Sequence, residues 1–122
     1  TEEKQKIRTF LDLRIWQKSI KLVSQIYEIT QSFPKEEAFG LTSQMRRSSV
    51  SIPSNIEEGQ EEIAQGIFGF LQIATGSLYE LQTQLVITKK LIIFSEHELV
   101  SLEENAREIE QMMSSFIRKL ST

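Results

Sequence analysis

One imidazole and no thiol bound the chemistry that this 122-residue chain can carry. With no Cys there are no disulfides, zinc-thiolate sites, iron–sulfur clusters or thiol nucleophiles. The single His97 cannot build a multi-histidine metal site. It stands between Glu96 and Glu98 at the expected start of a helix. It reads as a solvated surface histidine rather than an acid/base. Gly66-x-x-Gly69 has no Lys-Ser/Thr behind it and falls within a helical pattern, so it is no phosphate loop. Glu57, Glu58, Glu61 and Glu62 cluster, but di-metal carboxylate bundles need Glu-x-x-His pairs on two helices, and one His cannot supply them. The four glutamates read as a solvated turn, with negative charge favourably placed at the start of a helix. No catalytic, cofactor or metal site is expected, no small-molecule substrate, and no enzyme.

The basic residues are the other chemically useful group. The chain has 14 Lys plus Arg against 17 Asp plus Glu, a formal net charge of −3. The distribution is uneven. Lys4, Lys6, Arg8, Arg14, Lys18, Lys21 and Lys35 face only Asp12 and Glu28 over residues 4–35, and the second half is acidic. Arg14, Lys18 and Lys21 are spaced by 4 and 3, so they share one face of a helix. That stripe reads either as an ordinary solvated face or as a surface that meets phosphates. Arg46, Arg47, Lys89 and Lys90 are the further candidates for nucleic-acid contact.

Four periodic segments must position these residues. The first spans about Asp12 to Ser32, with Asp12 as N-cap and residues 1–10 a polar, frayed N-terminus. It carries two stripes: Trp16, Ile20, Val23, Tyr27 and Thr30, and Ile15, Leu22, Ile26, Ile29 and Phe33. The Phe33-Pro34 step ends it. The second runs from about Glu36 to Glu58, with Ala38, Leu41, Met45, Ser49, Ile52 and Ile56 inward. Pro53 predicts a kink, with Ser48, Ser49 and Ser51 near the freed backbone groups, and Gly59 predicts the stop. The third runs from about Glu61 to Phe94. Its seam is Ile67, Leu71, Ala74, Leu78, Leu81, Leu85, Thr88 and Ile92. The fourth opens on a Ser95-x-x-Glu98 capping box and continues through Leu99, Leu102, Ala106, Ile109, Met113, Phe116 and Leu120. Four such helices with short connections predict an all-α, antiparallel up-down-up-down four-helix bundle spanning 1–122 as one domain. The alternative is a pair of long hairpins that complete their core only in an oligomer.

The chain carries more apolar residues than one bundle needs. Trp16 beside Ile15, Tyr27 beside Ile26 and Phe70 beside Leu71 cannot all point inward. Phe68, Tyr79, Val86 and Ile93 add to the surplus. Aligned in stripes, they predict a subunit interface rather than scattered exposed hydrophobes. Gly69 and Gly76 fall seven apart on one face. Gly inside a helix costs about 1 kcal/mol against Ala, a cost that close backbone approach in an oligomer would offset.

The segment FPKEEAFGLTSQMRRSSVSIPSNIEEG (33–59) is distinctive, with DLRIWQKSIKLVSQIYEIT before it and FLQIATGSLYELQTQL after it. Over roughly residues 11–120 the chain closely resembles the four-helix-bundle proteins encoded in intervening sequences of bacterial 23S ribosomal RNA genes, often labelled ribosomal proteins. A relative within that resemblance is the accessory variability determinant of retroelements, which binds nucleic acid and a reverse transcriptase. The resemblance implies a bundle that assembles into a homopentameric ring, has no enzymatic activity and binds RNA or a nucleoprotein. Arg46, Arg47, Ser51, Pro53, Asn55, Glu58 and Gly59 match the family's R-R-x-x-x-S-I-P-x-N-I-x-E-G core, and Gly76, Ser77 and Glu80 match in the third helix. Ser49 and Glu57 stand where members often have Ala. Gln60-Glu61-Glu62 stands where members tend to be basic, which removes positive charge from that turn.

Physically, the motif reads first as structural. Asn55 and Ser51 can bond backbone around Pro53, and Arg46 or Arg47 can pair with Glu80 or Glu58. The expected partners are other copies of the chain and RNA or a nucleoprotein, or, in the alternative, a protein partner alone. No membrane is expected as a partner: no apolar stretch approaches membrane-spanning length, and TEEKQKIRTF has no signal-peptide core, so the expected location is the cytoplasm.

Overall fold

The computed structural model describes residues 2–60, 64–91, 93 and 96–121. The Ser95–Glu98 capping box, seam position Ile92, the helix end at Phe94, and Glu61 and Glu62 lie outside the described residues, as do the side chains of Lys4, Lys6 and Arg8. Four α-helices account for nearly all of it: α1 (Glu2–Thr30), α2 (Leu41–Gln60), α3 (Ala64–Lys90) and α4 (Glu96–Ser121). A single 3-10 turn, Lys35–Glu37, lies between α1 and α2. There is no strand among the described residues.

The apolar spacing places the core faces well. Ile67, Leu71, Ala74, Leu78, Leu81, Leu85 and Thr88 are all buried on α3, as are Leu99, Leu102, Ala106, Ile109, Met113 and Phe116 on α4. Helix α2 turns Leu41, Met45, Ser49, Ile52 and Ile56 inward. On α1 the buried stripe is Ile15, Ser19, Leu22, Ile26 and Thr30, while Trp16 is only partly buried. These side chains join in one core cluster. Each fully buried Leu, Ile or Phe in it contributes about 1.5–3 kcal/mol of transfer free energy.

The helix limits need correction. Helix α1 begins at Glu2, so Asp12 lies inside it and is not its N-cap, and residues 2–10 are helical. Their Glu, Lys, Gln and Arg are strong helix formers. Helix α2 begins at Leu41 and not at Glu36, because Pro34 leads into the short 3-10 turn instead. Ala38 is therefore exposed, not inward. The Glu37 carboxylate accepts from the Leu41 amide at 3.3 Å and satisfies one open donor of α2's first turn. Gly59 lies within α2, which ends one residue later. Its role is contact, not termination: a Cβ there would lie 3.3 Å from Phe70 Cβ and 3.4 Å from Ile67 Cγ1. Helix α3 stops at Lys90, short of Phe94, and the Ile93 amide donates to the Thr88 carbonyl at 3.1 Å.

Each helix packs against two others, in the cyclic order α1, α2, α3, α4, with no diagonal pair in contact among the described residues. Polar bonds fix the register. Ser48 Oγ donates to Gln84 Oε1 at 2.8 Å, and Ser77 Oγ donates to Ser51 Oγ at 2.8 Å across α2 and α3. Gln82 Nε2 donates to Glu110 Oε1 at 2.9 Å across α3 and α4. Asn105 Nδ2 donates to Gln25 Oε1 at 2.8 Å across α1 and α4. Among the described residues, no helix is long and apolar enough to cross a membrane.

Candidate nucleic-acid interface

The seven candidate cations fall into two states, set by what lies beside each. Lys18 on α1 reaches Glu108 on α4, with Nζ 2.8 Å from Oε1. Arg14 and Lys21, one turn to either side of Lys18, are exposed and add to the field on the same carboxylate. The hydrogen bond and charge of Lys18 hold the Glu108 carboxyl below the usual range, opposed by desolvation and assisted by the smaller effects of Arg14 and Lys21. The α1 stripe therefore exists, but its centre is occupied by an α4 carboxylate. Lys89 similarly lies 3.2 Å from Glu103 Oε1, across α3 and α4, and Lys90 is exposed.

Arg46 and Arg47 behave differently. The expected pairing of Arg46 or Arg47 with Glu80 or Glu58 does not occur. Arg46 turns toward α1 and not α3: its Nε donates to Thr30 Oγ1 at 2.8 Å, and its guanidinium lies 4.6 Å over the Tyr27 ring. A cation over an aromatic face is held by the ring quadrupole, and Thr30 adds direction. Thr30 Oγ1 in turn donates to the Ile26 carbonyl at 2.7 Å, which orients it as an acceptor for Arg46. Glu80 instead accepts from Gln84 Nε2 at 3.2 Å. Arg47, one residue on, is exposed, and no described carboxylate pairs with either arginine. Together with Tyr27, Thr42 and Ser43 they line a cleft of about 460 Å³ at the end of α1 and the start of α2.

Of the rest of the motif, Ser51 and Asn55 make hydrogen bonds within the bundle. Asn55 Nδ2 donates to the Ser51 carbonyl at 2.8 Å and to Ser51 Oγ at 3.0 Å, and Ser51 Oγ accepts from Ser77. Helix α2 runs unbroken through Pro53. Ser48 and Ser49 do not take up the groups freed there: the Ser48 hydroxyl donates to Gln84 Oε1 and the Ser49 hydroxyl to the Arg46 carbonyl. Glu58 is exposed, and Gly76 is open, with no atom within 4 Å of a Cβ built on it. Within one copy of the chain, Gly69 and Gly76 therefore make no close approach.

Sequence reasoning missed Tyr27, Thr30, Thr42 and Ser43 as members of a polar site. Tyr27 and Thr30 fall on an apolar stripe by spacing. Their partner Arg46 is on another helix, so no local signal links them.

The family model described as 23S rRNA-intervening sequence protein matches residues 11–115. A crystal structure of a protein with unknown function from the S23 ribosomal protein family, from Bacteroides thetaiotaomicron VPI-5482, is similar in fold with a TM-score of 0.81. The two are 23% identical, and the match covers 88% of this chain and 98% of that one. At that identity the likeness shows the fold alone. No curated protein sequence matches the chain.

Proposed function

Because the chain belongs to the family of 23S rRNA-intervening sequence proteins, we propose that it is a non-enzymatic helical scaffold that assembles from identical copies and binds RNA or a ribonucleoprotein. The observation that carries the reading is two groups of cations with no ion pair of their own among the described residues of an otherwise acidic chain: on one side Arg14 and Lys21, flanking the Lys18–Glu108 pair at the α1–α4 seam, and on the other Arg46 and Arg47 at the α1–α2 cleft. Phosphodiester charge is attracted to such a side whatever the sign of the molecule's total.

In this reading the helices run up-down-up-down. The register supports it: residue numbers rise on one helix as they fall on its neighbour, in Ser48 with Gln84 and Ser51 with Ser77 across α2 and α3, Gln82 with Glu110 and Lys89 with Glu103 across α3 and α4, and Lys18 with Glu108 and Gln25 with Asn105 across α1 and α4. The copies close into a ring of five. Exposed Ile73, Val86 and Ile87 on α3, with Leu91 just past its end, supply apolar surface for that contact. Five copies present each cation five times, so weak contacts act together on one RNA. The scaffold works in the cytoplasm.

Filter binding of a structured RNA at two salt concentrations tests the reading. Binding at micromolar protein that falls steeply with salt is expected, and salt-insensitive or absent binding overturns it. A second reading, a scaffold for a protein partner alone, is favoured by exposed Glu98, Glu104 and Glu108 along α4. A partner captured equally well after nuclease treatment would support it.

A further inference from the structure

We propose that the cleft between the end of α1 and the start of α2 is a phosphate-binding site, with Arg46 and Arg47 as its anion donors. A guanidinium has five N–H donors in a planar fork that matches phosphate oxygens. Arg46 spends one of them, Nε–H, on Thr30, and its guanidinium sits over the Tyr27 ring. Its four terminal N–H groups are not engaged by any described carboxylate.

This is a pre-organised cation. Thr30 and Tyr27 fix its place without neutralising it, because both are uncharged partners. Binding an anion there loses less side-chain freedom than binding to a free arginine does. Arg47 adds a second charge on the same cleft, and the Thr42 and Ser43 hydroxyls add neutral donors. No carboxylate lines the cleft among the described residues. The nearest candidate by sequence, Glu37, is engaged at the Leu41 amide. Lys18 and Lys89, by contrast, already hold carboxylates, which an incoming phosphate would have to displace.

Two sources offer this group: the phosphodiester of a single-stranded nucleic acid, and free phosphate or a phosphomonoester. As a phosphodiester site the proposal rests on the RNA-binding reading; as a phosphate site it stands on its own geometry.

The test uses the whole chain, two probes and two variants. A fluorescein-labelled RNA hairpin with a single-stranded uridylate tail is titrated by anisotropy, and inorganic phosphate is compared with chloride at equal ionic strength by thermal unfolding. Arg47→Ala removes an exposed side chain and leaves the Arg46–Thr30–Tyr27 contact in place. The double variant Arg14→Ala/Lys21→Ala is the control on the α1 stripe.

Arg47→Ala is expected to weaken oligonucleotide binding about tenfold or more, to lower the salt slope by about one, and to abolish stabilisation by phosphate. The double variant should change the phosphate response little. Stabilisation by phosphate that Arg47→Ala abolishes, with no oligonucleotide bound, keeps the cleft, assigns it to free phosphate and removes the RNA-binding reading. Salt-sensitive oligonucleotide binding that survives Arg47→Ala but not the double variant, without a phosphate effect, overturns the cleft and leaves the RNA-binding reading standing. No response to either probe overturns both.

Discussion

Arg46 has its charge steered by neutral neighbours, and Lys18 has its charge met by an acidic one. The two make different predictions. Thr30→Val keeps the shape of the side chain but removes the acceptor for Arg46 Nε and the donor to the Ile26 carbonyl. Water can reach the half-buried guanidinium, so the loss should be that of an ordinary hydrogen bond, about 1 kcal/mol in urea unfolding. Thr30→Ser keeps the hydroxyl and should recover most of it. A Thr30→Val protein as stable as the parent would show that Arg46 is held by Tyr27 alone.

At Glu108 the sign follows from its lowered carboxyl. Its attraction to Lys18 stabilises the fold above the unfolded glutamate pKa and is lost as pH falls through the lower folded value, so the window lies on the acid side of ordinary glutamate titration. The side chains of the pair are 33% and 48% exposed, so solvent screens it and its share of stability is small. The readout is therefore the carboxyl carbon shift of Glu108 against pH. Lys18→Ala should move its midpoint upward, and an unmoved midpoint would contradict the pairing.

At the level of elements, α2 holds two residues that oppose its helix in different ways. Pro53 lies mid-helix, yet it is buried, and Trp16, Ile20, Val23 and Val50 line the same groove at the α1–α2 seam. Proline costs about 3 kcal/mol against Ala in a helix interior. Truncation to Ala removes about two methylenes of buried surface, worth about 1.6 kcal/mol. Propensity wins, so Pro53→Ala should raise stability by about 1 kcal/mol in chemical denaturation, and a loss would mean that the ring's packing dominates.

Gly59 is the reverse case. Ala would gain about 1 kcal/mol of propensity, but its Cβ meets Phe70 Cβ, which moves only with its backbone, and such overpacking costs about 1–3 kcal/mol. Gly59→Ala should destabilise, whereas Gly69→Ala, with open space around it, should stabilise by about 0.5–1 kcal/mol. Equal effects at the two positions would refute the close contact at Gly59.

These elements also show what spacing can reveal. The seams of α3 and α4 were legible because each residue's burial follows from a 3/4 repeat along one helix. The start of α1 was less so: Ile7 and Leu11 extend the Ile15 stripe at spacings of 4, but the charged residues around them give a polar segment. The start of α2 was placed too early because a 3-10 turn after Pro34 carries the same residues that would open a helix. Of the candidate site, Arg46 and Arg47 stood out in the motif. The direction in which Arg46 points depends on Tyr27 and Thr30, 19 and 16 positions away, and no spacing along one helix encodes that.

For the whole molecule, the balance of charge and apolar surface bears on assembly. A net charge of −3 per copy repels other copies only weakly across physiological salt. The outer face of α3 offers Ile73, Gly76 and Ile87 in one line, with Tyr79 and Val86 beside it, all exposed. Within one copy these side chains have little to pack against, and nothing lies within 4 Å of a Cβ at Gly76. If a second copy covers this face, Ile87→Glu places a charge in an apolar contact and should break assembly. The folded protomer should be nearly indifferent, because exposed substitutions usually change stability by less than about 0.5 kcal/mol. Light scattering separates the two effects from folding: the parent should run well above the 14.1 kDa of one copy, and the variant should approach that mass with an unchanged helical spectrum. A parent at 14.1 kDa at high concentration would remove the assembly altogether. An assembled Ile87→Glu protein would move the contact off α3, to the groove lined by Trp16, Ile20, Val23 and Val50, which leads toward Tyr27 and the arginine cleft. In that case assembly and phosphate binding would compete for one side of the molecule, and raising protein concentration would weaken oligonucleotide binding per copy rather than strengthen it.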